Sequence, residues 1–499
     1  MTARLEREAS QAGIGWFLAA AILLAVLRGL QENRSRFGNE YAQLRGMRFR
    51  TLSILSGVLF LCAGSVAAED PLGPSVALIR KHLHGDYTGM LRDKGGAFKY
   101  PFITPGSTQY PDILWDWDSW LSDVALRQVL NEKAGTEEKA RALVHEQGCV
   151  LNYLSYGGLD GWVPIILKRN SGTRKELKAQ EDIYQTNMHK PCLAQHAAFL
   201  TKLNGGDAEW LRERFFYLQA FVNKYKNHQR HKATGLYFWN DDSAIGVDND
   251  PCTYMRPPKS SGSIFLNCLM YRELLSLAYL CDRLGQGEIG IQYRQDAEEL
   301  KAAIQKHCWD ERDGFFYSVD LNLLPYEGKP FAADPAIRLH SGYPRDYDCL
   351  IQRIDVWSGF LAMWAEIATP EQAKRMIARY KDERTFNAPY GVRTLSKLEK
   401  MYNVRASGNP SLWSGPIWGV SNYLVFRGLV KYGYKDEARE LAEKTIRLFA
   451  RDFERFGALH EYYLPETGEP VLNRGFQNWN YLVLNMAVWR EGGEPVAEF

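Results

Sequence analysis

The sequence predicts an all-α fold in which the helices form two concentric layers. Apolar helices alternate with amphipathic ones along the chain, and about twelve helical segments follow from Val76 onward. Few segments show strand periodicity, apart from residues 315–319. A helix that is apolar all round is buried, whereas a helix with one apolar stripe has a side in water. Twelve helices in this alternation make six pairs, each with an inner and an outer member.

The segments follow one another in a regular order. A short helix is expected at residues 76–84, and helices dominate from Trp115 onward. The apolar segments are residues 191–203, 263–281 and 416–429. The amphipathic segments are a helix capped by Asp207, then residues 288–307 and 435–453. The apolar stripes of these three segments recur at helical spacing, at Leu211, Phe215, Leu218, Val222 and Tyr225, at Ile289, Tyr293, Ala297, Leu300 and Ile304, and at Ala438, Leu441, Ala442, Thr445, Leu448 and Phe449.

Composition argues against a charged macromolecular partner. The 499 residues include 61 basic and 59 acidic side chains, a formal net charge of +2. Nothing in this balance predicts binding to nucleic acid or to an anionic membrane surface. Aromatic residues are abundant, with 14 Trp, 27 Tyr and 23 Phe. They suit a large core and also the flat apolar faces of sugars.

Residues 47–68 have the pattern of a secretory signal peptide. Arg48 and Arg50 precede an apolar run, and small residues precede Glu69. We therefore expect the protein in the periplasm or outside the cell. Residues 9–27 form another uncharged run, roughly the length of a membrane span. Residues 1–46 are accordingly either a mis-assigned start or a membrane anchor.

The cysteines do not predict a disulfide framework. Seven remain after the signal peptide, an odd number, and no two form a CxxC pair. One bridge is compatible with an exported protein. Cys and His residues are not spaced as metal ligands.

Carboxylates surrounded by aromatic residues are the candidate catalytic groups. Residues 115–120 read WDWDSW, residues 239–251 read WNDDSAIGVDNDP, and residues 457–470 read GALHEYYLPETGEP. Each acid also has a structural explanation, since Asp118 can cap a helix and Asp248 can close an Asx turn. Together, however, Asp248 and Glu461 provide the two carboxyl groups that glycoside hydrolysis requires.

Six motifs carry a family resemblance. In chain order they are WDSW, KPCLAQ, GVDNDP, LWSGPIWGVSNY, HEYYLPETG and NWNYLVLNM, between residues 117 and 486. This series resembles glycoside hydrolase family 63, especially its bacterial α-glucosidase-like and mannosylglycerate hydrolase-like members, with trehalases and family 15 glucoamylases as more distant relatives. Three features depart from the family pattern: Cys192 replaces a Pro, Ser414 replaces an Arg, and NDDSAI precedes GVDN.

The resemblance implies an (α/α)6 barrel, or six-hairpin toroid, at residues 115–495 behind a short N-terminal extension at residues 69–114. It implies an exported inverting glycoside hydrolase that cleaves an α-linked glucoside or mannoside, such as an oligosaccharide, a disaccharide or a glycosylglycerate, without metal or organic cofactor. Asp248 would be the general acid and Glu461 the general base. The implied substrate-binding residues are Trp117, Asp118, Trp120, Lys190, Gln195, Trp413, Gly415, Trp418 and Trp479.

Different functions on the same barrel remain open at this point. A sugar epimerase would use histidine pairs, and the candidates are His189, His196, His340 and His460. A trehalase-like hydrolase and an inactive sugar-binding barrel also fit these residues. Replacement of Glu461 separates a carboxylate-dependent hydrolase from a histidine-dependent epimerase.

Overall fold

The computed structural model describes residues 70–104, 110–133, 135–180, 182–323, 347–405 and 410–499. The predicted signal peptide, the apolar run at residues 9–27 and His340 lie outside the described residues. The seven cysteines that follow the signal peptide are all described, and all have free thiols.

The described residues form fourteen α-helices and four 3-10 helices. The 3-10 helices are Tyr87–Met90, Glu209–Arg214, Trp357–Phe360 and Asn478–Leu482. The α-helices are α1 (Gly73–Asp86), α2 (Asp116–Lys133), α3 (Thr136–Leu154), α4 (Arg174–Ala179), α5 (Ile183–Thr186), α6 (Leu193–Leu203), α7 (Phe215–His228), α8 (Ile264–Arg283), α9 (Gly287–His307), α10 (Leu361–Trp364), α11 (Pro370–Lys381), α12 (Gly419–Lys431), α13 (Lys435–Phe456) and α14 (Val483–Arg490).

Six of these helices form a closed inner ring. In the order α2, α6, α8, α10, α12 and α14, each packs against the next, and α14 with its preceding 3-10 helix packs against α2. Helices α3, α7, α9, α11 and α13 each follow an inner helix and form the outer layer with α1. The predicted (α/α)6 barrel is therefore confirmed.

Helix α1 completes the barrel from the other end of the chain. It packs against α13 and α14, so it is the outer partner of the last inner helix. Its buried face consists of Val76, Ile79 and Leu83. The segment that the sequence assigned to an N-terminal extension thus contains the twelfth helix of the barrel.

Burial follows the predicted patterns closely. Helix α8 is long and apolar enough to cross a membrane, but 89% of its apolar window is buried inside the protein because both helical layers cover it. In α13 the predicted stripe is buried, and Gly457 ends the helix in the left-handed conformation. In α9 the stripe is also buried except for Ile289, which is 46% exposed in the first turn.

The loops contain short strands of two or three residues. These are β1 (Leu91–Arg92), β2 (Phe102–Ile103), β3 (Ile113–Trp115), β4 (Ile166–Lys168), β5 (Ser261–Gly262), β6 (Trp309–Asp310), β7 (Phe315–Phe316), β8 (Val319–Asp320), β9 (Leu350–Ile351), β10 (Asn387–Ala388), β11 (Gly391–Val392), β12 (Ile417–Trp418), β13 (Tyr462–Tyr463) and β14 (Pro470–Val471). Antiparallel pairing of β12, β13 and β14 sets Trp418 opposite Tyr462. Trp418 is in this sheet and Glu461 directly precedes β13, so the sheet brings these two candidate site residues close together.

Candidate active site

A cavity of about 820 Å³ lies at the end of the barrel where the inner helices begin. Trp117 and Asp118 come from the first turn of α2, and Lys190 precedes α6. Trp418 immediately precedes α12, and Trp479 lies in the 3-10 helix before α14. Asp248, Trp413 and Glu461 complete the set of predicted site residues that line this cavity. The parallel inner helices thus bring together residues from all parts of the chain.

Glu461 is held at the cavity wall by hydrogen bonds to three residues. Its backbone N–H donates to the carbonyl oxygen of Leu472 at 3.1 Å, just before β13. Its Oε2 accepts a hydrogen bond from the Asn473 side chain and another from the Tyr110 hydroxyl at 3.4 Å. Leu472 and Asn473 have φ values of 59° and 45°, a conformation that is strained for a leucine and aims Asn473 at the carboxylate.

The pKa of Glu461 is poised near neutrality. Burial raises it from 4.5 to about 7, while the hydrogen bonds from Asn473 and Tyr110 lower it and the charge of Asp248 raises it. Asp248 and Glu461 line the same cavity, so the charge of one raises the pKa of the other. A carboxylate that changes its protonation near pH 7 can take a proton from water and release it again.

The loop that bears Asp248 is fixed by its neighbours. Asn249 adopts φ 61°, and its side-chain amide donates to the Ser411 carbonyl at 2.8 Å. Ser414, which replaces the usual Arg of the family motif, donates its hydroxyl to the Asn249 carbonyl at 3.2 Å. Gly246 has φ 89°, and a Cβ there would stand 2.9 Å from Lys190 Cε. Only glycine therefore allows this loop to approach the cavity floor.

Tryptophan rings form one wall of the cavity. Trp413 stacks on Trp418 with ring centroids 4.1 Å apart, and Trp117 lies 5.1 Å from Trp479. The indole N–H groups of Trp413 and Trp479 are buried without an acceptor in the described part of the chain. Buried donors are normally paired. A sugar offers a flat apolar face for these rings.

A buried polar cluster supports the floor. Asp116 pairs with the Lys190 ammonium at 2.7 Å and accepts its backbone N–H at 3.0 Å. Asp118 accepts a 2.6 Å hydrogen bond from the Asn478 side chain. Burial raises the pKa of Asp118 to about 7, and the Asn478 hydrogen bond opposes this shift. Asp118 is within the first turn of α2 rather than before it, so its carboxyl lines the cavity.

Comparison with known proteins agrees with this geometry. The family described as the mannosylglycerate hydrolase MGH1-like glycoside hydrolase domain matches residues 110–480, which include every described residue that lines the cavity. The chain belongs to glycoside hydrolase family 63. The family membership that the six motifs indicated is thereby confirmed.

Individual relatives of this family 63 chain are distant. A probable mannosyl-oligosaccharide glucosidase of Schizosaccharomyces pombe is 22% identical over 59% of this chain and 34% of its own length. The mannosylglycerate hydrolase of Rubrobacter radiotolerans is 26% identical over 41% of this chain and 39% of its own length. The chain thus spans only about a third to two fifths of these curated relatives.

A solved family 63 structure has the same fold. The mannosylglycerate hydrolase of Thermus thermophilus, crystallised in complex with glucose, is 20% identical, with a TM-score of 0.56. The superposition covers 83% of this chain and 99% of that one. At this identity the likeness establishes the shared barrel.

Three of the residues assigned to substrate binding lie outside the cavity lining. Trp120 is fully buried beside Trp364, because it lies one helical turn deeper in the barrel than Trp117. Gln195 donates to the carbonyl oxygens of Pro191 and Leu269, which ties α6 to α8. Gly415 donates its backbone N–H to Thr394 Oγ1 at 3.0 Å. These contacts tie the three residues to the scaffold, and their assignment to substrate binding stays a prediction.

The described candidate histidines of an epimerase also lie outside the cavity lining. His196 contacts the buried Asp123, and burial lowers its pKa to about 3. His189 bonds to the Lys190 carbonyl, and burial lowers its pKa to about 4. His460 bonds to Asp452 on α13. These contacts give each of the three a structural role.

Sequence patterns missed the groups that orient the carboxylates. Tyr110, Asn473 and Asn478 lie in loops or in a 3-10 helix, where no periodicity marks them. Asn478 belongs to the NWNYLVLNM motif, but the sequence analysis selected its neighbour Trp479 from that motif as the substrate-binding residue. Polar residues in such loops are recognisable only through the partners they meet in space.

Proposed function

We propose that this protein is an exported, inverting glycoside hydrolase that cleaves an α-linked glucoside or mannoside. The observation that carries the proposal is the placement of Asp248 and Glu461 in one cavity walled by tryptophans. Asp248 donates a proton to the leaving oxygen, and Glu461 takes a proton from the attacking water. Asp118 and Trp117 bind the sugar at the cleavage point.

The environment of Glu461 supports its role as the base. Asn473 and Tyr110 donate to its carboxylate, so they stabilise the ionised form that accepts a proton. In an inverting enzyme the attacking water lies between the two carboxyl groups, which stand roughly 6.5–9.5 Å apart. The names of the relatives, a glucosidase and a mannosylglycerate hydrolase, support an α-glucoside or α-mannoside as substrate.

Export rests on the sequence before the barrel. Residues 47–68 combine Arg48, Arg50, an apolar run and small residues ahead of Glu69. We propose that this segment directs the protein to the periplasm or the medium.

The test is hydrolysis by the chain that begins at Glu69. The panel contains trehalose, kojibiose, nigerose, maltose, glucosylglycerate and mannosylglycerate, and NMR identifies the first sugar anomer released. We expect the β-anomer, because single displacement of an α-linked leaving group inverts the anomeric centre. Release of the α-anomer would refute the inverting mechanism. Absence of hydrolysis would favour the inactive sugar-binding barrel.

The pH dependence of this reaction should report on Glu461. Removal of the Asn473 donor by Asn473→Ala is expected to raise the pKa of Glu461, because its ionised form loses a hydrogen bond. The acid limb of kcat/KM against pH should therefore move to higher pH, and Tyr110→Phe should move it in the same direction. Asn227→Ala, at an exposed position on α7, is the control. An unchanged limb in both site variants would show that Glu461 is not the titrating base.

A further inference from the structure

The cavity contains more carboxyl groups than cations available to pair with a ligand. Five described residues supply the carboxyl groups: Asp118, Asp241, Asp242, Asp248 and Glu461. The described lining includes two cations, Lys190 and Arg256. Lys190 is already paired with Asp116 at 2.7 Å, and Arg256 with Asp320. A carboxylate ligand would find no unpaired cation among these residues.

The helix ends do not supply a surplus of positive charge. Each inner helix brings about half a unit of positive charge with its N-terminus, within one turn of that end. The five carboxyl groups are already placed at that same end of the barrel.

Asp242 lies in the part of the cavity next to Asp248, the proposed general acid. Its Oδ2 accepts the backbone N–H of Asn249, the residue after Asp248, at 3.3 Å. Its Oδ1 is buried and has no hydrogen-bond partner among the described residues. Burial, followed by the charges of Asp250 and Asp248, raises the pKa of Asp242 to about 9. A negative charge is thus disfavoured at this position even on the protein's own side chain.

We propose that this site selects uncharged glycosides over glycosides whose leaving group carries a carboxylate, because both cations of the described lining are already paired. The inference rests on the proposed function, since it takes Asp248 as the acid that faces the leaving group. An entering carboxylate loses its water without gaining a cation, next to groups of its own sign. An uncharged glycerol or sugar hydroxyl instead finds a buried carboxyl oxygen with hydrogen-bonding capacity.

A matched pair of substrates tests the proposal. Glucosylglycerol and glucosylglycerate share the glucose and the leaving oxygen, and differ in a hydroxymethyl against a carboxylate group. We expect kcat/KM at pH 7 to be at least roughly tenfold higher for the uncharged member, because juxtaposed like charges disfavour binding strongly. Equal values or a preference for glucosylglycerate would overturn the proposal.

Acidity and substitution should both reduce the discrimination. Asp241, Tyr110, Tyr184 and Tyr254 also face this region. Burial raises the pKa values of Asp118 and Glu461 to about 7. As the pH falls below 7, Asp118 and Glu461 become protonated, so the ratio between the two substrates should approach one. Asp242→Lys, which adds a cation beside Asp248, should lower the ratio at pH 7, whereas Glu288→Gln, an exposed change on α9, should leave it unchanged. A ratio insensitive to both pH and Asp242→Lys would refute the electrostatic basis.

Binding measurements keep this inference separate from the proposed function. Isothermal titration calorimetry of both ligands on the Glu461→Gln variant ranks them without turnover. If the protein binds glucosylglycerol better but hydrolyses neither substrate, the specificity stands and the hydrolase assignment fails. If it hydrolyses glucosylglycerate preferentially, the hydrolase assignment stands and the specificity is wrong.

Discussion

Glu461→Gln is expected to lower kcat by about 10³-fold, within the range that a general base contributes. The amide has nearly the shape of the carboxylate but cannot accept the proton of the attacking water. Asp248→Asn should have a similar effect, because the amide cannot protonate the leaving oxygen. The double variant should be little slower than either single one, since the two groups act in one step. Steady-state hydrolysis of the best substrate from the panel measures all three.

The control for this experiment is Glu454→Gln, an exposed change on α13. It should retain full activity. Sugar binding should persist in Glu461→Gln, because the tryptophan wall and Asp118 are unchanged. Full activity in Glu461→Gln would contradict the assignment of the base and favour a reaction that uses other groups.

The same substitution should stabilise the protein above neutral pH. The pKa of Glu461 in the folded protein is raised to about 7, so the folded state binds a proton more tightly than the unfolded state. The stability contribution of this group is therefore fully present below about pH 4.5 and lost as the pH rises through 7. Glutamine cannot ionise, so the variant avoids the cost of burying a charged carboxylate. The melting temperature of the variant at pH 8 should therefore be higher than that of the unmodified protein. Such a trade between activity and stability is common at active sites.

Glu498→Ala is expected to destabilise the protein by about 3–5 kcal/mol, the effect of removing one partner from a buried charge network. Glu498 lies at the opposite end of the barrel, where its fully buried carboxylate accepts from Trp364 Nε1, Tyr423 and Arg427. Substitution leaves the buried Arg427 guanidinium without its anion. Urea denaturation followed by tryptophan fluorescence measures the loss.

Glu494→Ala is the matched control, because Glu494 belongs to the same C-terminal segment but is exposed. It should change stability by less than about 0.5 kcal/mol. An equal effect of the two substitutions would show that the segment contributes through its backbone and not through the buried charge.

The Glu498 network should also make stability depend on acid pH. Burial alone would raise the pKa of Glu498, but the charges of Arg427, Lys431 and Arg272 hold it well below its ordinary value of 4.5. A lowered folded pKa gives stability that is present above pH 4.5 and is lost as the pH falls further. The difference in stability between the unmodified protein and Glu498→Ala should therefore shrink below pH 4.5.

The architecture was predictable because the pattern of apolar residues along a helix indicates which of its faces are buried. An inner helix, which is surrounded by helices of both layers, must be apolar nearly all round, as in α8, and an outer helix needs one apolar stripe, as in α13. These patterns are local and survive without knowledge of the contacts. The number of pairs followed from them, whereas the place of α1 did not, because its partner α14 lies about four hundred residues away.

The site could be predicted only in part for the same reason. Local motifs identified Asp248 and Glu461, and the structure places both in one cavity. The same motifs included Trp120, Gln195 and Gly415, because a motif does not distinguish a side chain at the mouth of the barrel from one a turn deeper. Depth along a helix and orientation in a loop depend on the neighbouring elements.

The sequence by itself determined the helical layers, the family and the two catalytic candidates, since each depends on residues close together in the chain. Only the tertiary structure decided which side chains donate hydrogen bonds to the carboxyl groups of the site and so shift their pKa values. Tyr110 donates a hydrogen bond to Glu461, which is 351 residues away in the sequence, and Asn478 donates one to Asp118, which is 360 residues away. Closure of the inner ring joins the two ends of the chain, and the resulting burial and hydrogen bonds set the pKa values on which the chemistry depends.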